Sequence, residues 1–201
     1  MQITDVKING MRNPIGYGYK NPRISWKVRE TKAKHQTGVR IEVAEDAGFQ
    51  DIFYVKEGAD LSSLGELLEI ELKPCTRYHA RVQVENELGE KSLSVPVYFE
   101  TGKMDQPWTG RWITTQEGDD FHPVFCRAFQ PAGKVRSARL YISGLGLFKA
   151  ELNGEPVSAE VLTPYYSNYH DEIQYLTFDI TDLVSEENTL KVFLGNGWYK
   201  G

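Results

Sequence analysis

Apolar residues in this chain recur with period two in short runs, and those runs are closed by Gly, Pro, Asn and Asp. Helical periodicity is nearly absent, so the pattern predicts an all-β chain built from short, half-buried strands. Arg23 to Val28 (RISWKV), Val39 to Ala44 (VRIEVA), His79 to Glu85, Phe125 to Phe129, Arg139 to Ser143, Leu147 to Leu152, Gln174 to Ile180 and Thr189 to Leu194 all read as strands. The best helical candidate is Leu61 to Leu72, which is short and reads equally well as a turn followed by a strand. Asn153-Gly154 is a strong hairpin signal, because both residues tolerate the positive φ of a type I′ turn. Asp179-Ile-Thr-Asp182-Leu183 carries side chains suited to capping a short helical turn.

At 201 residues the chain is long enough for one or two domains, each with its own core. A net charge of −5 without clustered cations argues against a nucleic-acid partner. The longest basic run, Lys27 to Lys34, is broken by Glu30 and reads as a solvated strand end and loop. No run of about 18 apolar residues occurs, so no membrane span is expected. The first ten residues lack a signal-peptide layout, which gives a cytoplasmic expectation unless a leader has been removed. Cys75 and Cys126 fall in different predicted domains and are expected to be free, buried thiols. The two cysteines and four scattered histidines give no zinc spacing.

Residues 1–102 contain Trp26 on an early strand and the run Leu72-Lys-Pro74-Cys-Thr76-Arg-Tyr78. This L-x-P-x-T-x-Y pattern resembles the fibronectin type III module, an immunoglobulin-like sandwich. That resemblance implies a tyrosine corner, with the Tyr78 hydroxyl turned back onto backbone a few residues upstream. Residues 103–110 (KMDQPWTG) read as a linker. Trp108 and Trp112 at its end are read as a staple between domains in preference to a sugar-stacking pair.

Residues 111–201 carry Gly144-Leu-Gly146-Leu-Phe148, Leu152-Asn-Gly154, Leu162-Thr-Pro164, Asp179 to Leu183, and Gly195-Asn-Gly197-Trp-Tyr199-Lys-Gly201. The asparagine and aspartate motifs also resemble the galactose-binding-like jelly rolls of β-galactosidases and β-glucuronidases. The two glycine motifs, Leu162-Thr-Pro164 and the module in front together resemble the N-terminal region of bacterial alpha-L-rhamnosidases, glycoside hydrolase family 78. One departure is LTPYYSNYHDE, where the family pattern leads to Gly-Trp or similar after the proline. The resemblance implies two β-sandwich domains, the second an incomplete jelly roll, in front of a missing catalytic helical barrel. It also implies that the parent enzyme removes terminal alpha-L-rhamnose from glycosides with inversion, using glutamates of that barrel. The fragment is then expected to be inactive alone, to position the barrel or bind substrate, and to self-associate through an uncovered strand edge. The alternative is a free-standing carbohydrate-binding or structural adaptor protein.

Within the residues present, acidic groups are too frequent for spacing to single out a catalytic pair. Glu151, Glu155, Asp171, Glu172 and Asp179 flank turns and strand ends, and no catalytic residue is assigned. Asp119-Asp120 and Glu186-Glu187-Asn188 lack a calcium-loop pattern and read as solvated charge, so no metal or cofactor is expected. Gly144-Leu-Gly146 lacks the third glycine and helix of a dinucleotide loop and reads as two kinks between strands. Tyr165, Tyr166 and Tyr169 near His170 form one aromatic run, and Trp198 with Tyr199 forms another. Core or interdomain packing is the commoner explanation of such runs. Tyr165, Tyr166 and Trp198 are the candidate sugar-binding residues, and the polar flank of Ser167, Asn168 and His170 favours the tyrosine run.

Overall fold

The computed structural model describes residues 1–116 and 121–199, and it is all-β. The chain divides into two compact units, residues 1–107 and 108–201. Unit 1 holds β1 (Gln2–Ile8), β2 (Ile15–Tyr17), β3 (Arg23–Arg29), β4 (Gln36–Ala44), β5 (Ile52–Gly58), β6 (Glu66–Leu67), β7 (Arg77–Asn86), β8 (Lys91–Leu93) and β9 (Val97–Thr101). One sheet runs β1-β3-β6, and the other runs β2-β9-β7-β4-β5, with β8 also paired to β7.

Strand β7 shows why the alternation matters. Its residues alternate half-buried and buried along the whole strand, so Tyr78, Ala80, Val82, Val84 and Asn86 all face inward. Pairing with β4 places Val82 opposite Ile41 and Val84 opposite Val39. These side chains join Ile8, Ile24, Trp26, Leu68 and Phe99 in one buried cluster. A shift of one residue would expose that entire inner face, so the register is strongly specified. Tyr78 stacks on Phe99 with centroids 5.3 Å apart, and Tyr19 meets Phe99 edge-on at 5.6 Å.

The tyrosine corner forms as the sequence implies. The Lys73 backbone N–H donates to the Tyr78 hydroxyl at 2.8 Å. Thr101 completes the corner, its hydroxyl donating to the Lys73 carbonyl at 2.6 Å and accepting from the Thr76 N–H at 2.9 Å. Bonds of this kind each contribute about 1 kcal/mol net, and more is lost if one partner is left buried and unpaired. At the other end of β7, Asn86 accepts from the Leu88 and Glu90 backbone N–H groups, closing the turn into β8.

In unit 1, Leu61 to Leu72 takes the second of its two readings, a turn leading into the two-residue β6. Cys75 is free, as expected, but exposed where burial is expected. It occupies the tight turn before β7 at φ +50°, where the backbone turns the thiol outward.

On the outer face of the large sheet, burial alone would raise the proton affinity of Glu42. Arg40 and Arg81 outweigh that cost, each bonding it at 2.6 Å, and hold it below the usual carboxylate range. Burial, helped by the Arg77 charge, pushes His79 below the ordinary imidazole value of 6.5.

Unit 2 contains β10 (Val124–Phe129), β11 (Arg139–Ser143), β12 (Leu147–Leu152), β13 (Glu155–Pro156), β14 (Tyr175–Asp179), a 3-10 turn (Thr181–Leu183) and β15 (Asn188–Gly195). Its sheets run β10-β15-β12-β13 and β11-β14. Its core is thin: the buried apolar side chains among the described residues are Phe148, Ala150, Leu152, Pro164 and Ile180. Polar motifs therefore carry much of its definition. The Asn153-Gly154 turn has φ of +55° and +88°, as a type I′ hairpin requires. The Asn153 amide donates to the Leu183 carbonyl at 2.9 Å and to Asn188 Oδ1 at 3.0 Å, and its oxygen accepts from the Thr189 N–H. Asp179 Oδ1 accepts from Arg139, the Thr181 hydroxyl and the Thr181 N–H, which starts the 3-10 turn. Cys126 is also free and exposed, because it sits on the edge strand β10, whose residues are open on both faces. Trp108 packs edge-on against Tyr175 of its own unit at 5.5 Å, and Trp112 stands exposed.

Two predictions follow from burial and from backbone geometry. His79 favours the neutral ring when folded, so its contribution is present above pH 6.5 and is lost as the pH falls through its lowered folded value. Urea midpoints of unit 1 measured from pH 7.5 down to about 5.5 should decline, and His79→Gln should flatten that slope; an unchanged slope contradicts the assignment. Gly146 and Gly154 share nearly the same φ, +89° and +88°, but differ in space. A Cβ on Gly154 meets nothing within 4 Å, whereas one on Gly146 falls 2.5 Å from the carbonyl oxygens of Gly195 and Asn196. Gly154→Ala should cost about 1 kcal/mol and Gly146→Ala about 3 kcal/mol or more by denaturant titration. Equal costs would show that the close approach is absent.

Candidate functional site

The close approach at Gly146 brings together two stretches separate in sequence. The passage between β11 and β12 lies against the turn that follows β15, and a Cβ on Gly197 would in turn sit 2.8 Å from Leu147 Cγ. Leu147 pairs with Gly195 and Phe148 with Leu194. The Phe148 N–H donates to the Thr163 carbonyl at 2.8 Å, which fixes the start of the aromatic loop on the same strand. Thr163 and Pro164 are buried, and from Tyr165 onward the chain emerges.

Asn168 organises the loop. Its carbonyl accepts from the Asp171 and Glu172 N–H groups at 2.9 and 2.8 Å. Its amide donates to Asp171 Oδ2 at 2.6 Å, and its side-chain oxygen accepts from the His170 N–H. The Ser167 hydroxyl donates to the Glu172 carbonyl at 2.8 Å. On the facing turn, the Tyr199 N–H donates to the Asn196 carbonyl at 3.1 Å.

Three rings connect these two segments. Tyr166 meets Tyr169 edge-on with centroids 6.1 Å apart, and Tyr169 meets Tyr199 edge-on at 5.6 Å. Tyr169 is half-buried between its partners, while Tyr166 is 65% exposed. Of the residues chosen from sequence, Tyr166 belongs to this cluster. Tyr165 and Trp198 flank it in sequence, are 66% and 71% exposed, and make no ring–ring contact among the described residues. Tyr169 and Tyr199 stand in the same two aromatic runs, but their contact is long-range, and in sequence the glycine motifs on either side are its signal.

The cluster offers flat apolar faces beside amide, hydroxyl and imidazole groups, a composition suited to stacking and hydrogen bonding a sugar ring. It holds no activated nucleophile, and Asp171 is occupied by Asn168. Glu187 accepts from the Gln130 amide at 3.2 Å, and the buried Asn188 bonds Ser185 and Asn153, so this trio closes a turn. Among the described residues no group of three or more His, Cys, Asp or Glu is placed to hold a metal ion. Asp119-Asp120 lies outside the described residues.

Comparison with known proteins gives the same two-part division. Residues 3–105 match the family model for the Rha78A-like N-terminal immunoglobulin domain. Residues 133–201 match that for the alpha-L-rhamnosidase N-terminal domain. An alpha-L-rhamnosidase of Formosa agariphila is 32% identical across 99% of this chain, and one from an Alteromonas species is 27% identical across 98%. The chain spans 24% of the length of each. Among solved structures, the alpha-L-rhamnosidase from Dictyoglumus thermophilum superimposes with a TM-score of 0.83 at 26% identity, covering all of this chain and 26% of its own. The Aspergillus terreus alfa-L-rhamnosidase gives 0.82 at 26% identity, with 24% of its chain covered. Just over half of the chain lies within the first family model, and the chain belongs to the Rha78A-like N-terminal immunoglobulin domain family, followed here by an alpha-L-rhamnosidase N-terminal domain.

Proposed function

We propose that this chain is a non-catalytic front part of an alpha-L-rhamnosidase-type glycoside hydrolase. The parent acts on terminal alpha-L-rhamnose of glycosides, and its acid and base belong to a catalytic domain beyond the matched quarter of the relatives. The front part supports that domain and contributes a sugar-holding surface, with no turnover of its own. The observation that carries the binding role is the joining of two aromatic segments through Tyr169 and Tyr199, which leaves the Tyr166 ring and the neighbouring Tyr165 and Trp198 rings open to solvent. A thin core supports the partner role. The open edge of β10 is where a second copy of the chain docks when no other segment covers it. A free-standing carbohydrate-binding protein would use the same aromatic residues, and the two readings differ only in whether a catalytic domain accompanies them.

Isothermal titration with rutinose, a disaccharide ending in alpha-L-rhamnose, tests the surface. Binding should be weak, and Tyr166→Ala and Trp198→Ala should each weaken it about fivefold, the worth of one stacked ring at about 1 kcal/mol. Unchanged affinity in both variants would remove the aromatic residues from the site and leave the chain a scaffold.

A further inference from the structure

Three Asn-Gly dipeptides occur in the chain: Asn9-Gly10, Asn153-Gly154 and Asn196-Gly197. An asparagine before glycine is prone to attack by the next backbone nitrogen on its own side chain, because glycine has no Cβ to hold that nitrogen away. Whether the attack occurs depends on what ties the amide down, and the fold treats the three pairs differently.

Asn9 Oδ1 accepts from the Arg23 backbone N–H at 2.7 Å, and the Asn9 N–H donates to the Arg23 carbonyl at 2.8 Å. Asn153 is held at both ends of its amide, donating to the Leu183 carbonyl and Asn188 Oδ1 and accepting from the Thr189 N–H. Among the described residues, the Asn196 side chain makes no hydrogen bond, and neither does the Gly197 N–H. Asn196 is half-buried and Gly197 exposed, so water reaches the pair. Electrophile, nucleophile and water are therefore all available at this one dipeptide.

A second observation gives such a reaction a consequence. The Asn196 carbonyl oxygen lies 2.5 Å from where a Cβ on Gly146 would stand, and a Cβ on Gly197 would sit 2.8 Å from Leu147 Cγ. One extra backbone carbon between residues 196 and 197 does not fit there without moving this contact. Tyr199, two residues on, packs edge-on against Tyr169 at 5.6 Å and would move with it.

We propose that Asn196-Gly197 is a self-modifying site, and that its conversion to isoaspartate opens the aromatic end of unit 2. The Gly197 amide nitrogen loses its proton to solvent base and attacks Asn196 Cγ. The new N–Cγ bond closes a succinimide ring, and the Cγ–Nδ2 bond breaks as ammonia leaves with a proton from water. Water then opens the ring at one of its two carbonyls and its oxygen stays in the new carboxylate. Opening at the Asn196 main-chain carbonyl leaves the backbone running through Cγ, which is isoaspartate; opening at Cγ gives aspartate. The sum is amide plus water to carboxylate plus ammonium, with no oxidant or reductant. Both products add a negative charge, and isoaspartate also lengthens the main chain by one carbon.

The test is a time course of peptide mapping on the whole 201-residue chain, kept warm at mildly alkaline pH, native and in urea. Trypsin places Asn9 in the peptide from Ile8 to Arg12, Asn153 in that from Ala150 to Lys191, and Asn196 in that from Val192 to Lys200. Electron-transfer fragmentation separates isoaspartate from aspartate. In the native chain Asn196 should convert about tenfold faster than Asn9 and Asn153, whose hydrogen bonds must first open, and in urea the three rates should converge. A native rate at Asn196 no faster than at the other two overturns the site. The second readout is the nuclear Overhauser contact between the Tyr169 and Tyr199 rings. It should fade in step with isoaspartate in the wild type and persist in Asn196→Gln, whose longer side chain closes a ring far more slowly. A ring contact that survives conversion overturns the consequence for unit 2. Neither readout involves a sugar, so failure of rutinose to bind would end the binding role and leave this site standing.

Discussion

A backbone-on-backbone contact holds the aromatic end of unit 2 together, and the other features there depend on it. The Gly146 Cα lies so close to the carbonyls of Gly195 and Asn196 that no side chain fits between them, and Gly197 returns the contact against Leu147. This allows the turn after β15 to fold over the start of β12, which carries Thr163 through a backbone hydrogen bond. The aromatic loop begins at Thr163, and Tyr199 follows the glycine turn by two residues. Two glycines thus decide whether Tyr169 and Tyr199 meet. A small domain with five buried apolar side chains among its described residues has little hydrophobic burial to absorb an error at this point. Its polar joints, Asn153 to Asn188 and Arg139 to Asp179, provide the remaining definition.

What could be read from sequence was local. Strand β7 announces itself because every second residue is apolar, and β11 and β12 match their sequence-read limits for the same reason. The tyrosine corner was legible because Pro74, Thr76 and Tyr78 stand at fixed offsets around one turn. Leu61 to Leu72 was ambiguous because its leucines suit either a helical face or a turn packed against a sheet, and tertiary pairing of β6 with β3 decided it. The exposure of Cys75 and Cys126 was not legible. A thiol's burial depends on the turn and on which strand forms the sheet edge, and neither has a composition signal. The same holds for the candidate surface. Its residue types were visible, but the meeting of Tyr169 with Tyr199 is a long-range contact that only the fold creates. The basic run from Lys27 to Lys34 reads as solvated charge, and most of its residues are exposed.

The two units divide their physical roles. Unit 1 is a well-filled sandwich with a single large buried cluster, an outer face tied by Arg–Glu pairs, and a tyrosine corner that fixes one end. Unit 2 is lightly packed, with exposed aromatic rings and an open edge strand at β10.

The central claim, contact with a rhamnoside without turnover, is tested most directly by saturation-transfer NMR on the chain mixed with p-nitrophenyl alpha-L-rhamnoside, followed over hours for nitrophenolate release. The account predicts saturation passing from tyrosine ring protons to the rhamnose protons, with no nitrophenolate formed. Nitrophenolate release by the purified chain would place catalysis within these residues, and an absence of saturation transfer would remove the sugar from the tyrosine surface; either result contradicts the account.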